Sequence, residues 1–215
     1  MKNSSLGKKV LITAGPTWVP IDDVRVLSNI STGKMGLLLA EEAQEHFAHV
    51  DLFLGPVGPV DALNKVRVMP FKYFHEFFEL VNDQLKKTRY DVILHCAAVS
   101  DYTVRQTNGK ISSKRKMRSL TLTRAPKVVD TIRRLNPKAF LTLFKLEANV
   151  SVPVLINRTK EALKIHRADL AVANMFGDKG YRGFVVDTDC VLAQARSRQE
   201  LVKKLFGVLK LKAVL

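Results

Sequence analysis

DVILHCA, Asp91 to Ala97, is an apolar run of strand length with no polar alternation. A strand of that kind is buried on both faces, as in a parallel sheet covered by helices. Working outward, VLIT (Val10–Thr13) has the same character and is closed by Gly15-Pro16. Val50–Leu54 is a further strand and ends at the breaker Gly55-Pro56-Val57-Gly58-Pro59. Val66–Met69 is a short strand, and Leu120–Thr123, Phe140–Phe144 and Asp169–Ala173 are further strands. Between them lie helices. In Lys34–Phe47, Met35, Leu38, Leu39 and Ala43 return at helical spacing. Tyr73–Lys86, a segment starting at Pro126, Ile156–His166 and Gln199–Leu209 are the others, and proline suits a first helical turn. Phe184–Asp187 and Cys190–Ala193 read as a terminal hairpin. Strands separated by helices predict parallel βαβ units, hence an α/β, Rossmann-like, doubly wound and mostly parallel sheet. With no internal repeat and no linker, residues 1–215 read as one domain.

Hydrophobic residues make up 47% of the chain, enough for a packed core and too many for a disordered segment. Two cysteines cannot form a disulfide framework. Cys96 and Cys190 sit in apolar runs, so both are expected as buried free thiols in a reducing cytoplasm. No signal-peptide core and no bilayer-length apolar stretch is evident, which points to a cytoplasmic protein. The net charge of +15 asks for an anionic partner or reflects solvated lysine faces. Between Arg105 and Arg134 there are ten Lys or Arg and one acid, Asp130. Thr103–Arg118 within this stretch is polar and basic and supplies no core element, so it is expected as a mobile basic flap.

Ligands on doubly wound sheets bind at the carboxyl ends of strands. Three polar clusters follow strands: Gly15–Gly36, Ala98–Arg118 and Asn174–Arg182. The first, GPTWVPIDDVRVLSNISTGKMG, lacks the glycine fingerprint of dinucleotide folds. It also lacks the P-loop pattern, since Met35 follows Gly33-Lys34. Ser28, Asn29, Ser31, Thr32 and Gly33 nevertheless crowd the start of a helix. That arrangement is either an anion site or plain N-capping by Ser31 or Thr32.

The segment resembles the signature of phosphopantothenate–cysteine ligases, roughly ITAGGT-x-E-PID-x-VR-x-ISN-x-SSGKMG. Here ITAGPT is followed by PIDDVRVLSNISTGKMG. The family's AAVADY is similar to AAVSDY (Ala97–Tyr102), and its flap element to KISS (Lys110–Ser113). Ala125-Pro126-Lys127-Val128-Val129, FKLEA (Phe144–Ala148) and DLAVAN (Asp169–Asn174) continue the match in order across nearly the whole chain. The resemblance implies a stand-alone ligase without the flavin decarboxylase domain. A nucleoside triphosphate, CTP or ATP with Mg²⁺, activates the carboxylate of 4′-phosphopantothenate as an acyl-nucleotide, and L-cysteine then attacks. It implies a homodimer working on small molecules, with no nucleic-acid or membrane partner.

By the same resemblance Asn29, Arg25 and Lys110 are catalytic. Asn29 can donate to a developing oxyanion, Arg25 can grip a phosphate or carboxylate as a fork, and a flap lysine can neutralise charge. Ala97, Ala98, Asp101, Lys110, Pro126, Lys127, Val128, Val129, Phe144, Lys160 and Lys164 would bind nucleotide, and His166 is a further candidate beside the two lysines. Gly15, Ser28, Asn29, Ser31, Thr32, Gly33 and Asn174 would bind substrate. No protein metal ligand is implied, because Mg²⁺ favours phosphate oxygens.

The chain departs from the pattern at Pro16, at Ala148, and at Trp18-Val19, where the family has a charged pair. That last change keeps a catalytically degenerate nucleotide-binding paralogue in view. An NAD(P)-binding Rossmann protein would need the missing glycines. An RNA-binding protein would interleave aromatics with the Arg105–Arg134 charges, and none is there.

Overall fold

The computed structural model describes residues 7–59, 63–114, 116, 119–177 and 180–215. In chain order the elements are β1 (Lys9–Ala14), β2 (Trp18–Pro20), β3 (Val26–Ser28), α1 (Lys34–Ala43), β4 (His49–Leu54), β5 (Val66–Pro70) and α2 (Phe74–Lys87). Next come β6 (Val92–His95), β7 (Tyr102–Val104), β8 (Leu122–Arg124), α3 (Val128–Leu135), β9 (Phe140–Ala148) and α4 (Val152–His166). The chain closes with β10 (Leu170–Gly177), β11 (Gly180–Val186), β12 (Val191–Ala195) and α5 (Arg198–Leu211).

Eight strands form one sheet in the order β12-β11-β10-β9-β6-β1-β4-β5. The six from β5 to β10 pair in parallel, and β11 and β12 add an antiparallel meander. The expected α/β doubly wound sheet is therefore the fold. Strand β1 shows why its sequence is uniformly apolar. Val10, Ile12 and Ala14 enter the core beneath α1 and α5, while Leu11 enters the core beneath α2 and α3. In β6, Val92 and Leu94 face the first core and Ile93 the second. Both faces bury apolar area, so neither strand can alternate with polar residues.

Several boundaries differ from the sequence expectation. Helix α1 stops at Ala43, and a tight turn carries the chain to Phe47, which still packs into the core at 6% exposure. Helix α3 begins at Val128, with Lys127 as N-cap and Pro126 just outside. The stretch from residue 103 to 118 starts in β7, which pairs with β8 as a small antiparallel ribbon. Arg115, Met117 and Arg118 of that expected flap lie outside the described residues. The third polar cluster is no simple loop: β10 runs on to Gly177 and β11 resumes at Gly180, with residues 178 and 179 outside the described ones. Both cysteines are free thiols, but Cys190 is exposed at the β11–β12 turn and Cys96 is only partly buried. Among the described residues no helix is long and apolar enough to cross a membrane.

Candidate functional site

Strand order runs β1-β4-β5 in one direction and β6-β9-β10 in the other, so the switch point lies between β1 and β6. At that point the helices cover opposite faces and a crevice opens beyond the strand ends. The loops after β1 and β6 both emerge there and are stitched together. Ala98 donates its amide to the Gly15 carbonyl at 2.9 Å, and Cys96 donates to Thr13 at 3.1 Å. Gly15 has φ +79°, and a Cβ there would crowd the Gly55 backbone at 3.1 Å, so glycine is required on both counts.

Beyond Gly15 the chain forms the β2–β3 hairpin, which sequence periodicity is too short to reveal. Val19 is 2% exposed and belongs to the α2–α3 core, while the Trp18 ring meets Tyr73 edge-on at 6.5 Å. The apolar pair that departs from the family pattern thus fastens the hairpin to the sheet. Helix α1 follows, with Gly33 as N-cap at φ +69° and no side-chain cap. Ser31 Oγ accepts only from the Gly33 amide at 3.4 Å, and Thr32 Oγ1 from the Lys34 amide at 3.5 Å. Gly33 is the N-cap and neither hydroxyl reaches past the Lys34 amide, so the Met35 and Gly36 amides remain available to an anion. They border a cleft of about 970 Å³ lined by Gly15, Ser31, Thr32, Gly33, Ala98 and Asn174, among others. Asn174 is 9% exposed and holds the Lys145 carbonyl at 3.3 Å.

A second cleft of about 780 Å³ opens on the other face, beside α3 and α4. Ala97, Asp101, Pro126, Lys127, Val128, Val129 and Phe144, all expected at the nucleotide, line it together. Lys127 Nζ pairs with Asp101 at 2.6 Å across its mouth. Among lining residues the two clefts share Ala97 and Phe144. Ser28, by contrast, lines neither and donates to the Thr17 carbonyl at 3.2 Å.

Asn29 sits on the rim between the clefts. Its Nδ2 donates to the carbonyls of Ala98 at 3.3 Å and Val99 at 3.0 Å. Arg25 lies at the other end of β3, roughly 13 Å away at the rise of an extended strand. Its Nη1 donates to Asp22 at 2.9 Å and to the Ile111 carbonyl at 3.2 Å, so the fork is engaged with the flap. Lys110 is exposed, lines neither cleft and has no hydrogen-bond or ion-pair partner among the described residues. Arg25 and Lys110 are therefore neighbours of one another, and of the three only Asn29 bonds to residues that line the clefts, Ala98 and Val99, without lining either itself.

On α4, Ala162 and His166 line the second cleft, whereas Lys160 and Lys164 do not. Two residues advance a helix by 200°, which turns both lysines to the far side. Lys160 Nζ instead donates to the Asp189 carbonyl at 2.6 Å. His166, held by Asp130 through Nδ1 at 2.7 Å, is the basic residue of α4 that faces the cleft. Sequence reasoning missed His95, whose Nδ1 meets Thr13 Oγ1 at 2.9 Å in the cleft floor. Burial pushes its imidazole down to about 4, helped by the charge of His166, so it is neutral near pH 7. Burial also pushes the Cys96 thiol up to about 12, which makes it an inert wall rather than a nucleophile. Among the described residues no group of three or more His, Cys, Asp or Glu could hold a metal ion.

Residues 5–205 match the family described as the DNA/pantothenate metabolism flavoprotein C-terminal domain. A coenzyme A biosynthesis bifunctional protein CoaBC from Thermococcus kodakarensis is 34% identical over 206 residues, 93% of this chain and 50% of its own length. The chain spans about half the length of the curated relatives it matches. Among solved structures, the C-terminal domain of a CoaBC protein superposes with a TM-score of 0.79 at 25% identity, covering 99% of this chain and 98% of that one. A Cab2 variant in complex with phosphopantothenate-cysteine shares the fold at a TM-score of 0.76 and 19% identity, covering 96% and 88%. With the family model matched over residues 5–205 and a relative 34% identical over 93% of its length, the chain belongs to the DNA/pantothenate metabolism flavoprotein C-terminal domain family.

Proposed function

We propose that this chain joins 4′-phosphopantothenate to L-cysteine through an acyl-nucleotide. The observation that carries the reading is the meeting of two clefts at Ala97 and Phe144, on the switch point of the sheet. One cleft offers free helix amides to an anion. The other offers Lys127 and His166 beside an apolar wall of Val128, Val129 and Phe144, which suits a nucleotide. A carboxylate in the first cleft and an α-phosphorus in the second would lie a side chain apart. That is the proximity acyl transfer to a nucleotidyl group requires. The similarity to bifunctional coenzyme A biosynthesis proteins and to a fold relative holding phosphopantothenate-cysteine supports this substrate pair.

In this reading the α1 amides and Asn29 orient the acid, and Asn29 Nδ2 is placed to donate to charge developing on its oxygen. Lys127 and His166 hold the phosphates, and Lys110 closes from the flap. The triphosphate is CTP or ATP. Mg²⁺ would be held mainly by the triphosphate rather than by side chains of this chain, and would supply charge neutralisation when bound. A homodimer is part of the reading, because the exposed Val24 and Ile30 of the hairpin region offer apolar area for a second copy. The test is to incubate the protein with phosphopantothenate, cysteine and each triphosphate in turn. Pyrophosphate should appear only when phosphopantothenate and the right nucleotide are both present. Pyrophosphate release independent of the acid, or none with any nucleotide, would remove the ligase reading.

A further inference from the structure

The basic segment that follows β7 does not float free of the molecule. Its alternate amides dock on one short stretch of the loop between β2 and β3. Thr107 donates to the Ile21 carbonyl at 3.0 Å, Gly109 to Asp23 Oδ2 at 2.8 Å and Ile111 to Asp22 Oδ2 at 3.0 Å. Arg25 completes the pairing by donating to the Ile111 carbonyl at 3.2 Å. Two carboxylates and one carbonyl thus take the place that a neighbouring strand's carbonyls would occupy in a sheet.

Asp22 is built for this task. It is 2% exposed, and its two oxygens divide the work. Oδ1 accepts the amides of Val24 at 2.8 Å and Arg25 at 2.7 Å, which closes the turn. Oδ2 accepts Ile111 N–H and Arg25 Nη1, which holds the flap. The Ile111 amide is the strongest influence lowering the Asp22 carboxyl below its usual range. Burial opposes it, and the Val24 and Arg25 amides and the Arg25 charge reinforce it. Asp23 is exposed and adds Gln106 Nε2 at 3.4 Å.

We infer that Asp22 and Asp23, with Arg25, form a clamp that fixes the flap base and thereby positions Lys110, which lies between the two docked amides of Gly109 and Ile111. Arg25 then serves as a docking residue for the flap rather than a fork for substrate. The role assigned to Lys110 rests on the ligase reading; the clamp itself does not.

Asp22→Asn separates the two halves of the carboxylate. With the amide oxygen kept on the turn side, its NH2 faces the Ile111 N–H and the Arg25 guanidinium, donor against donors. Amide hydrogen exchange, read residue by residue on the ligand-free full chain, should show Ile111 exchanging about tenfold faster or more, the loss expected from one charge-assisted hydrogen bond. Amides of β1 and β6 should keep their protection. In pyrophosphate release the same variant should lose kcat about tenfold while the nucleotide KM stays near the wild-type value. Asp23→Ala is the companion where Asp22→Asn fails to fold. It touches an exposed carboxylate and should release Gly109 alone. Unchanged protection at Ile111 in Asp22→Asn, or at Gly109 in Asp23→Ala, overturns the clamp, and lost protection with unaltered kcat overturns the positioning role. Should the wild type release no pyrophosphate with any triphosphate, the ligase reading falls, and exchange at those two amides decides the clamp by itself.

Discussion

Asn29 Nδ2 lies 3.0 Å from the Val99 carbonyl and 3.3 Å from that of Ala98, so one side-chain amide bridges the hairpin loop to the loop after β6. Ala98 lines the cleft beside α1 and Val99 the cleft beside α3. A single exposed residue therefore touches the boundary between the two.

Asn29→Ala removes both bonds from a solvent-exposed site, which should cost stability no more than about 1 kcal/mol. Loss of a preorganised donor to a developing oxyanion costs on the order of 10²–10³ in kcat. We expect that loss in pyrophosphate release, with a melting temperature within a few degrees of wild type. A fully active Asn29→Ala would take this residue out of the mechanism.

Lys110 has no partner among the described residues and is exposed, so Lys110→Gln should leave urea unfolding unchanged. Turnover should fall by about tenfold or more if its charge meets the phosphates. A parallel loss of stability and activity would mark the lysine as structural and refute the assignment.

Gly36 is where α1 backs onto β1. A Cβ at this position would stand 2.2 Å from Ala14 Cβ. Gly36→Ala must push the helix away, at a cost of about 1–3 kcal/mol for overpacking, offset by up to about 1 kcal/mol of helix propensity. The expected result is a lower urea midpoint together with weaker substrate binding, because the helix start that borders the cleft moves. An unshifted midpoint would show that the helix adapts freely.

His95 sets a pH dependence of stability. Its folded value near 4 lies below the ordinary 6.5, so the unfolded chain binds the proton first as pH falls. Stability from this residue is complete above about pH 6.5 and is lost progressively down to about pH 4. The loss is on the order of 2 kcal/mol, below the full shift because the ring borders an open cleft. His95→Gln should flatten the slope of unfolding free energy between those two pH values. An unchanged slope would assign it to other groups.

Much of the fold could be read in the sequence because β1 and β6 are apolar on both faces, and only a helix-covered parallel sheet demands that. The motif segments likewise marked the loops that top the sheet. What stayed hidden has physical reasons. The strands β2 and β3 are three residues each, too short for any periodicity, so Trp18 and Val19 looked like a lost charged pair instead of packing residues. On α4 the charges of Lys160 and Lys164 drew attention away from helical phase, which places Ala162 and His166 toward the cleft. Cys190 sits in an apolar run, but at the turn leading to an edge strand the run gains no cover. Docking of the flap passes largely through backbone amides, which carry no residue identity.

Ala97 and Phe144 are the common sill of two chambers that open on opposite sides of the sheet. The wall they have in common is one alanine and one phenylalanine side chain. A larger side chain in place of Ala97 would therefore intrude on both chambers at once.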